Sequence, residues 1–555
     1  MPKINLTAPE RVAGYLAKGY WEESTLADFW DRHAEESPDK VGLVDVSQGK
    51  RFTWAQLKEI TDRLALGLID MGIARDEVVI GQLPNWAENV TAHMACDKAG
   101  ILYLGPRTNM RQSEMEHFLK ITGAPAVIIP GNFRGFDHYE SMKEIQSGMP
   151  QLKHIIVTGP DIPAGALSLE DVLTRPLAGS YPPDHLSKTR IRHDEIGNLA
   201  STTGTTGAPK VAAHSEGCLV SLSQAVVSRL RITADDAILS LVPFWSGINL
   251  LVSLAVCRVG CTQVVMENFE PGDILKVIEK ERVTVTCSAP AIYFRMIGHP
   301  DLARHDLSSL RMAVSAGGPL PPELAVKIEE ALSCKVSNVY GAVDGGTFGL
   351  GDPDAPPEVR FTTVGRAPEG TEVKLVDGDD NEVPTGQIGE VVSRGPLLYE
   401  GYFHDPERTR EVYDAEGWYH TGDLGWVDAG GTLTLVGRKK EVIIRGGQNI
   451  YPAEVEGLLM EHPDVASVAI VAMPDPEMGE KCCAFVIPQA GEKIPFGDMV
   501  SFLKEKKIAS FKIPERLEFV DQFPLAGEAK VNKRELQDML AQRMEAEGEA
   551  GPGSA

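Results

Sequence analysis

The stretch STTGTTGAPK, residues 201–210, governs how the rest of this chain is read. It crowds hydroxyls, two glycines and one lysine into a single loop, which is the composition of a phosphate cradle. Gly204 and Gly207 let the backbone approach an oxyanion closely and adopt positive φ, while Ser201, Thr202, Thr203, Thr205 and Thr206 offer hydroxyls and Lys210 a positive charge. Only Thr205 and Thr206 separate the glycines, and Pro209 precedes the lysine. The Walker pattern, with four residues between its glycines and a Gly-Lys-Ser/Thr ending, is therefore absent, and an ordinary P-loop ATPase is disfavoured. Composition alone leaves a polar loop without a ligand as an equal alternative. Its setting favours a ligand: an apolar, strand-like segment at 196–200 leads in and Val211-Ala212-Ala213 leads out, so the loop hangs between two expected strands.

Working outward, the chain has 555 residues, 43% hydrophobic and 24% charged, enough for more than one folding unit. No apolar run approaches the roughly 20 residues of a membrane helix, so no membrane insertion is expected. The formal charge of −25 argues against a nucleic-acid partner and makes each cation near a polyanionic ligand worth tracking. The first residues lack an apolar signal core, and the eight cysteines show no CxxC or zinc spacing. A reducing, cytoplasmic setting is expected, with Cys257, Cys261, Cys482 and Cys483 as buried structural thiols.

Strand-like GLVDV is followed by a helical run at 53–71 with Thr53 as its N-cap, then VVIGQL, a helix after Trp86, ILYLG, a helix at 112–122 and APAVIIP. The same texture returns after the loop through ILSLVPF, a helix near 250–259, TQVVM, TVTCSAP and RMAVSAGG. Such alternation implies an α/β fold: layered, mostly parallel sheets with helices on both faces. Glycine-dense short strands at 367–431 suggest a β-rich subdomain, and after TLTLVGRKK a small α+β unit begins. The expected division is an N-terminal domain at 1–437, a hinge at 438–440, a C-terminal domain at 441–540 and a disordered acidic tail at 541–555.

As a whole string, residues 201–210 resemble the phosphate-binding signature of the AMP-forming adenylating enzymes, the superfamily of acyl-CoA synthetases, peptide-synthetase adenylation domains and beetle luciferases. Later segments keep that superfamily's order: SAGGPLPPEL from Ser315, NVYGAVDGG from Asn338, YHTGDLGWVD around Asp423, LVGRKKEVIIRGG, and FPLAGEAKVNKREL around Lys530. In isolation, a Gly317-Gly318 turn, an exposed Tyr340 and a solvated charge run at 438–440 would each read as ordinary structure. The resemblance covers about residues 21–536. It implies that the loop with Thr206 and Lys210 holds ATP phosphates, that Ala316, Gly317 and Gly318 lie against adenine, and that Asn338, Tyr340, Gly341 and Ala342 form the next wall. There Tyr340 stacks on the base and Gly341 sits beside the acyl group. It further implies that Asp344 serves Mg²⁺ with Thr202, that Asp423 and Arg438 hold the ribose, and that Lys440 is the hinge of a mobile small domain. Lys530 then bridges the acid and the α-phosphate, and Gly446 and Gly447 face the pantetheine of coenzyme A.

The expected reaction is ATP-dependent activation of a small aromatic, alicyclic or short-chain carboxylic acid to an acyl-adenylate, then transfer to CoA to give acyl-CoA, AMP and pyrophosphate. Among branches the chain looks most like aryl or alicyclic acid-CoA ligases and dihydroxybenzoate-AMP ligases. Phe244 and Trp245 suggest a ring-lined acyl pocket, although core packing explains them equally well. Ser246 and Gly247 stand where the dihydroxybenzoate group has a His-Asn pair, so a catechol acid is disfavoured. One alternative is an acid-AMP ligase loading a carrier-protein phosphopantetheine. A second, of another class, is a nucleotide-binding regulator without catalysis, motivated by Val343, Asp344 and Ala529, which depart from the superfamily pattern. A homodimer is compatible with all of these.

Overall fold

The computed structural model describes residues 8–177, 179–202, 209–244, 246–489, 493–526 and 530–549, the side chains of 526, 530 and 546–549 aside. The strand–helix alternation resolves into two eight-stranded sheets, a four-stranded sheet and a five-stranded one. In one large sheet the order is Gly346–Leu350, Lys335–Ala342, Met312–Ser315, Val285–Ser288, Ala237–Ser240, Thr262–Val265, Val41–Asp45 and Lys50–Thr53. It is parallel throughout its centre and antiparallel only at the two edge pairs. The other runs Gly401–Tyr402, Lys210–Ser215, Ile196–Thr202, Leu102–Leu104, Val78–Gly81, Ala126–Pro130, His154–Thr158 and Leu167–Ser168. Its central strands are buried on both faces, which is why VVIG and AVIIP are continuous apolar runs rather than alternating ones.

Local chemistry sets the helix starts. Thr53 caps Trp54–Asp70 as expected, its hydroxyl accepting from Gln56 N while the Gln56 side chain accepts from Thr53 N at 2.9 Å. The helix expected near 250–259 begins earlier, at Gly247, because the Ser246 hydroxyl accepts from Asn249 N and supplies the cap. Gly247 is also a close approach: a Cβ there would meet Val343 Cγ2 at 3.0 Å.

The four-stranded sheet, antiparallel in the order Glu372–Val376, Gly389–Arg394, Tyr419–Val427 and Leu433–Arg438, is the expected β-rich subdomain. A short 3₁₀ turn, Lys439–Glu441, follows, and the five-stranded sheet starts at Ile443–Arg445 with its own apolar core. The tail expectation is corrected: the last helix runs Lys533–Glu549, well into the stretch read as disordered. Residues 541–549 are rich in Ala, Glu, Gln, Arg and Met, which are strong helix formers, and the helix is tethered there by Arg543 pairing with Glu518 and by Met544 packing on the core.

Three helices are locked by one buried lysine. Lys98, with no exposed side-chain surface, reaches Asp31 Oδ1 and Asp62 Oδ1 at 2.6 Å each, joining Ala87–Ala99 to Leu26–Glu36 and Trp54–Asp70. Burial opposes ionisation of Asp31, but Lys98 outweighs it and the carboxyl is held below its usual range. The adjoining Asp97 is treated differently. It is 4% exposed with Oδ1 unpartnered, and burial raises its carboxyl above the ordinary value despite Arg190 nearby. A carboxyl with a raised folded pKa binds its proton more tightly in the native state, so it subtracts stability as pH climbs from about 4 through that value. Asp97→Asn is therefore expected to raise the thermal unfolding midpoint, with a wider gap from the parent protein at pH 8 than at pH 5. A melting series over that range checks it, and a gap that narrows with rising pH contradicts the assignment.

Candidate active site

The loop strands Ile196–Thr202 and Lys210–Ser215 pair antiparallel with Thr202 opposite Lys210, so both ends of the phosphate loop are anchored in the sheet. Thr203, Gly204, Thr205, Thr206 and Gly207 lie outside the described residues. The Lys210 ammonium donates to the Tyr402 hydroxyl at 3.1 Å and lies 4.4 Å from the centre of the same ring. Tyr402 Oη–H in turn donates to Asp344 Oδ2 at 2.6 Å. Burial pushes the Tyr402 phenol up and Asp344 adds to it, so the hydroxyl keeps its proton and relays between cation and carboxylate. Nearby hydroxyls remain unused by the fold: Ser201 Oγ and Ser315 Oγ are buried and unpartnered.

A second relay includes Tyr340, on the strand that precedes the Asp344 turn. Tyr340, 8% exposed, donates its hydroxyl to Asp423 Oδ2 at 2.7 Å, and Arg438 Nε reaches Asp423 Oδ1 at 2.6 Å. The expected aromatic residue and the two expected sugar contacts are thus one connected group. The Tyr340 ring rests on Phe348, 5.3 Å between centres, within an aromatic cluster that includes Tyr399, Tyr402 and Tyr419. Gly341 sits exposed at a bulge in the strand pair beyond Tyr340, followed by Ala342. Ala316 N–H is held by Ser288 O at 3.0 Å, and Gly317 turns at φ 80 ahead of Gly318. Asn338 is placed differently from its neighbours: its amide donates to the backbone carbonyls of Arg360 and Thr363, so it braces the strand from below.

The charge run at 438–440 is largely paired. Beside the Arg438–Asp423 pair, Lys439 Nζ meets Glu390 Oε2 at 2.7 Å, and Gly422 N donates to the other Glu390 oxygen at 3.1 Å. Lys440 remains exposed in the 3₁₀ turn. Gly446 and Gly447, both at positive φ, form the two-residue turn between Ile443–Arg445 and Gln448–Ile450, and this is where glycine is required. Arg445 beside them is tied to Glu515 at 2.6 Å. Lys530 starts the short strand Lys530–Val531; its side chain and Ala529 lie outside the described residues.

A narrow cavity of about 40 Å³ opens beside the helix Gly247–Val259. Phe244, Ser246 and Gly247, three of the residues read as an acyl pocket, line it together with Val343, next in the chain to Asp344. Trp245 is outside the described residues, and Gly341 does not line the cavity. Sequence reasoning missed His93, Tyr103, Asn249 and, above all, Tyr402. Nothing in the stretch EGYFHDPERT marks Tyr402 as polar machinery before Gly401–Tyr402 pairs with Ala212 and Ala213. Asn249 carried a faint signal, a lone amide in an otherwise apolar helix start.

With the geometry in place, comparison gives a consistent relation. The family model described as AMP-binding enzyme matches residues 30–403, and that described as AMP-binding enzyme C-terminal domain matches 454–530. The chain is 30% identical to a medium-chain fatty-acid–CoA ligase of Escherichia coli (strain K12), over 98% of this chain and 95% of that one. It superposes on ATP-bound MatB from Rhodopseudomonas palustris with a TM-score of 0.82, at 26% identity over 92% and 98% of the two chains. On the anthranilate CoA ligase AuaEII in complex with anthranoyl-AMP the TM-score is 0.83, at 25% identity over 94% and 98%. These matches span both halves of the sequence and nearly the full length of the relatives: the chain belongs to the AMP-binding enzyme family of adenylate-forming acid ligases, which use ATP.

Proposed function

We propose that this enzyme joins ATP to a small aromatic, alicyclic or short-chain carboxylic acid and passes the acyl group to coenzyme A. The observation that carries the reading is the Lys210–Tyr402–Asp344 relay at the end of the glycine-rich loop, with the Tyr340–Asp423–Arg438 group starting four residues before Asp344. A carboxylate oxygen of the acid attacks the α-phosphorus, the bond to the β-phosphate oxygen breaks, and pyrophosphate leaves. The thiol sulfur of CoA then attacks the acyl carbon, the bond to the AMP oxygen breaks, and the thiol proton passes to solvent.

Each role follows from the chemistry of the side chain. Lys210 neutralises charge building on the phosphates, and Lys530, brought in on its loop, does the same at the α-phosphorus and the attacking carboxylate. Thr206 and the other loop hydroxyls orient the phosphate oxygens. Asp423, already accepting from Tyr340, takes the ribose hydroxyls with Arg438 beside it, and the unpaired Ser201 and Ser315 hydroxyls suit a polar nucleotide. Among the described residues no group of three or more His, Cys, Asp or Glu side chains could cage a metal by itself. Asp344, with Thr202, fits Mg²⁺ that keeps its waters and arrives on the phosphates, where it would offset their charge. Lys440 at the exposed turn is the proposed pivot, and rotation there would replace Lys530 by the Gly446–Gly447 turn at the acyl group. The eight buried, unbridged cysteines support a reducing, cytoplasmic setting, and no helix of the described residues is long and apolar enough to cross a membrane.

Acid-dependent exchange of labelled pyrophosphate into ATP tests the first half-reaction and would rule out a regulator that only binds nucleotide. Consumption of free CoA, measured in the same preparation, separates a CoA ligase from an enzyme that loads a carrier protein. Lys530→Ala is expected to slow adenylation by about 10³-fold while thioester formation from supplied acyl-adenylate is largely kept; equal loss of both steps contradicts its role. Asp423→Asn removes the charge that Arg438 and the ribose share. It is expected to raise KM for ATP about tenfold, with KM for the acid moving far less.

A further inference from the structure

The cavity beside Gly247–Val259 holds hydrogen-bonding groups for which the fold has no use. Asn249 sits in the first turn of that helix and is 0% exposed. Its backbone N–H is bonded to Ser246 Oγ, yet both polar atoms of its side chain, Nδ2 and Oδ1, have no partner. An amide taken out of water and left unpaired is costly, and an aliphatic residue would pack this position better if packing were its purpose. Asn249 lines the cavity, and on the same wall set is His93 from Ala87–Ala99.

His93 stacks on Tyr103, 5.1 Å between ring centres with the planes 20° apart. Burial pushes its imidazole down to about 4, so at neutral pH it carries no charge and offers one donor nitrogen and one acceptor. Three other polar groups of the lining are engaged: the Tyr103 hydroxyl donates to Asn89 Oδ1 at 2.7 Å, Ser253 Oγ accepts from Gln263 at 3.2 Å, and Ser246 Oγ accepts from Asn249 N. No lysine or arginine is among the described residues of the lining. The cavity therefore combines aromatic walls, one unpaired amide and one neutral imidazole, with Val343, the neighbour of Asp344, at its margin.

We infer that the acid carries, besides its carboxylate, a neutral hydrogen-bonding substituent, a hydroxyl or an amino group, received by Asn249 and His93. The inference rests on the acid-activation reading above and names the substrate class of that same site. An amide presents donor and acceptor side by side, so a hydroxyl or amino group satisfies it, whereas an unsubstituted ring or chain buries it unpaired. A second carboxylate would enter a lining without a cation and lose its hydration uncompensated. Discrimination of this kind is steep, because a site built to bond a hydroxyl is left with orphaned groups when the substrate lacks one.

The test is pyrophosphate exchange with matched acids: benzoate against its hydroxy and amino derivatives, cyclohexanecarboxylate against its hydroxy derivatives, and hexanoate against hydroxyhexanoates. At least one substituted acid is expected to exceed its parent in kcat/KM by about 10²-fold or more. Asn249→Leu is expected to cut that advantage at least about tenfold while raising kcat/KM for the parent, and His93→Phe, a ring of similar size, gives an independent reading should the first variant fold poorly. Parent acids activated as well as every substituted partner would overturn this inference and leave acid activation standing. Exchange with none of the acids, in protein that binds ATP, would overturn acid activation and this inference together.

Discussion

One phenol holds the reacting end of this molecule together. Tyr402 belongs to an edge strand of one large sheet, Lys210 to the strand beside it, and Asp344 to the turn that follows a strand of the other large sheet. Its hydroxyl accepts from the lysine and donates to the aspartate, so the two sheets are tied by polar bonds beside the aromatic cluster that they share. Each bond has a charged partner, the class worth about 1.5–3 kcal/mol. In a chain of net charge −25, a lysine with the role proposed for Lys210, meeting a polyanion, cannot be left to general electrostatics. Stacking Lys210 on the ring and bonding it to the hydroxyl keeps it in place without neutralising it, since Tyr402 remains protonated.

The third sheet is tied in by the same logic, one step along. Asp423 is shared by Tyr340 and Arg438, and Glu390 by Lys439, His420 and Gly422. Burial opposes ionisation of Glu390, but hydrogen bonds from His420 and Lys439 outweigh it and bring the carboxyl down to about 2. His420 moves the other way, its imidazole raised chiefly by the bond to Glu390. The depressed carboxyl contributes stability above its unfolded value near 4.3 and loses it as pH falls toward about 2; the raised imidazole contributes below about 6.5 and loses it as pH rises through its folded value. The cluster is thus strongest between about pH 4.3 and 6.5, and once His420 has lost its proton the Lys439 ammonium and the Gly422 N–H hold Glu390. Two of the three cations before the C-terminal sheet are thereby paired within the β-rich subdomain, and the third, Lys440, is exposed.

What the sequence made legible was whatever depends on short-range pattern. Apolar runs bounded by caps gave the strands and helices of both large sheets, because a parallel strand buried on both faces has nowhere to put a polar residue. Thr53 was readable as a cap because its partner, Gln56, is three residues away. The candidate site was legible only where a motif keeps its chemistry within a few positions, as in the glycine- and threonine-rich loop. The tail was misread because acidity suggested solvation, while Arg543 and Met544 dock across to residues far back in the chain. Tyr402 and Asn249 escaped for the same reason. A tyrosine becomes a relay only when the fold brings residues 210 and 344 to its hydroxyl, and an asparagine at a helix start reads as capping until burial shows that its amide bonds nothing. Polar groups in the core of a fold are costly, so one left unsatisfied in the wall of a cavity is a candidate contact for whatever enters it. Among the described residues, Ser201 at the start of the glycine-rich loop and Asn249 in the cavity are two such groups that fall within the proposed site, where an acid and a nucleotide would have to meet.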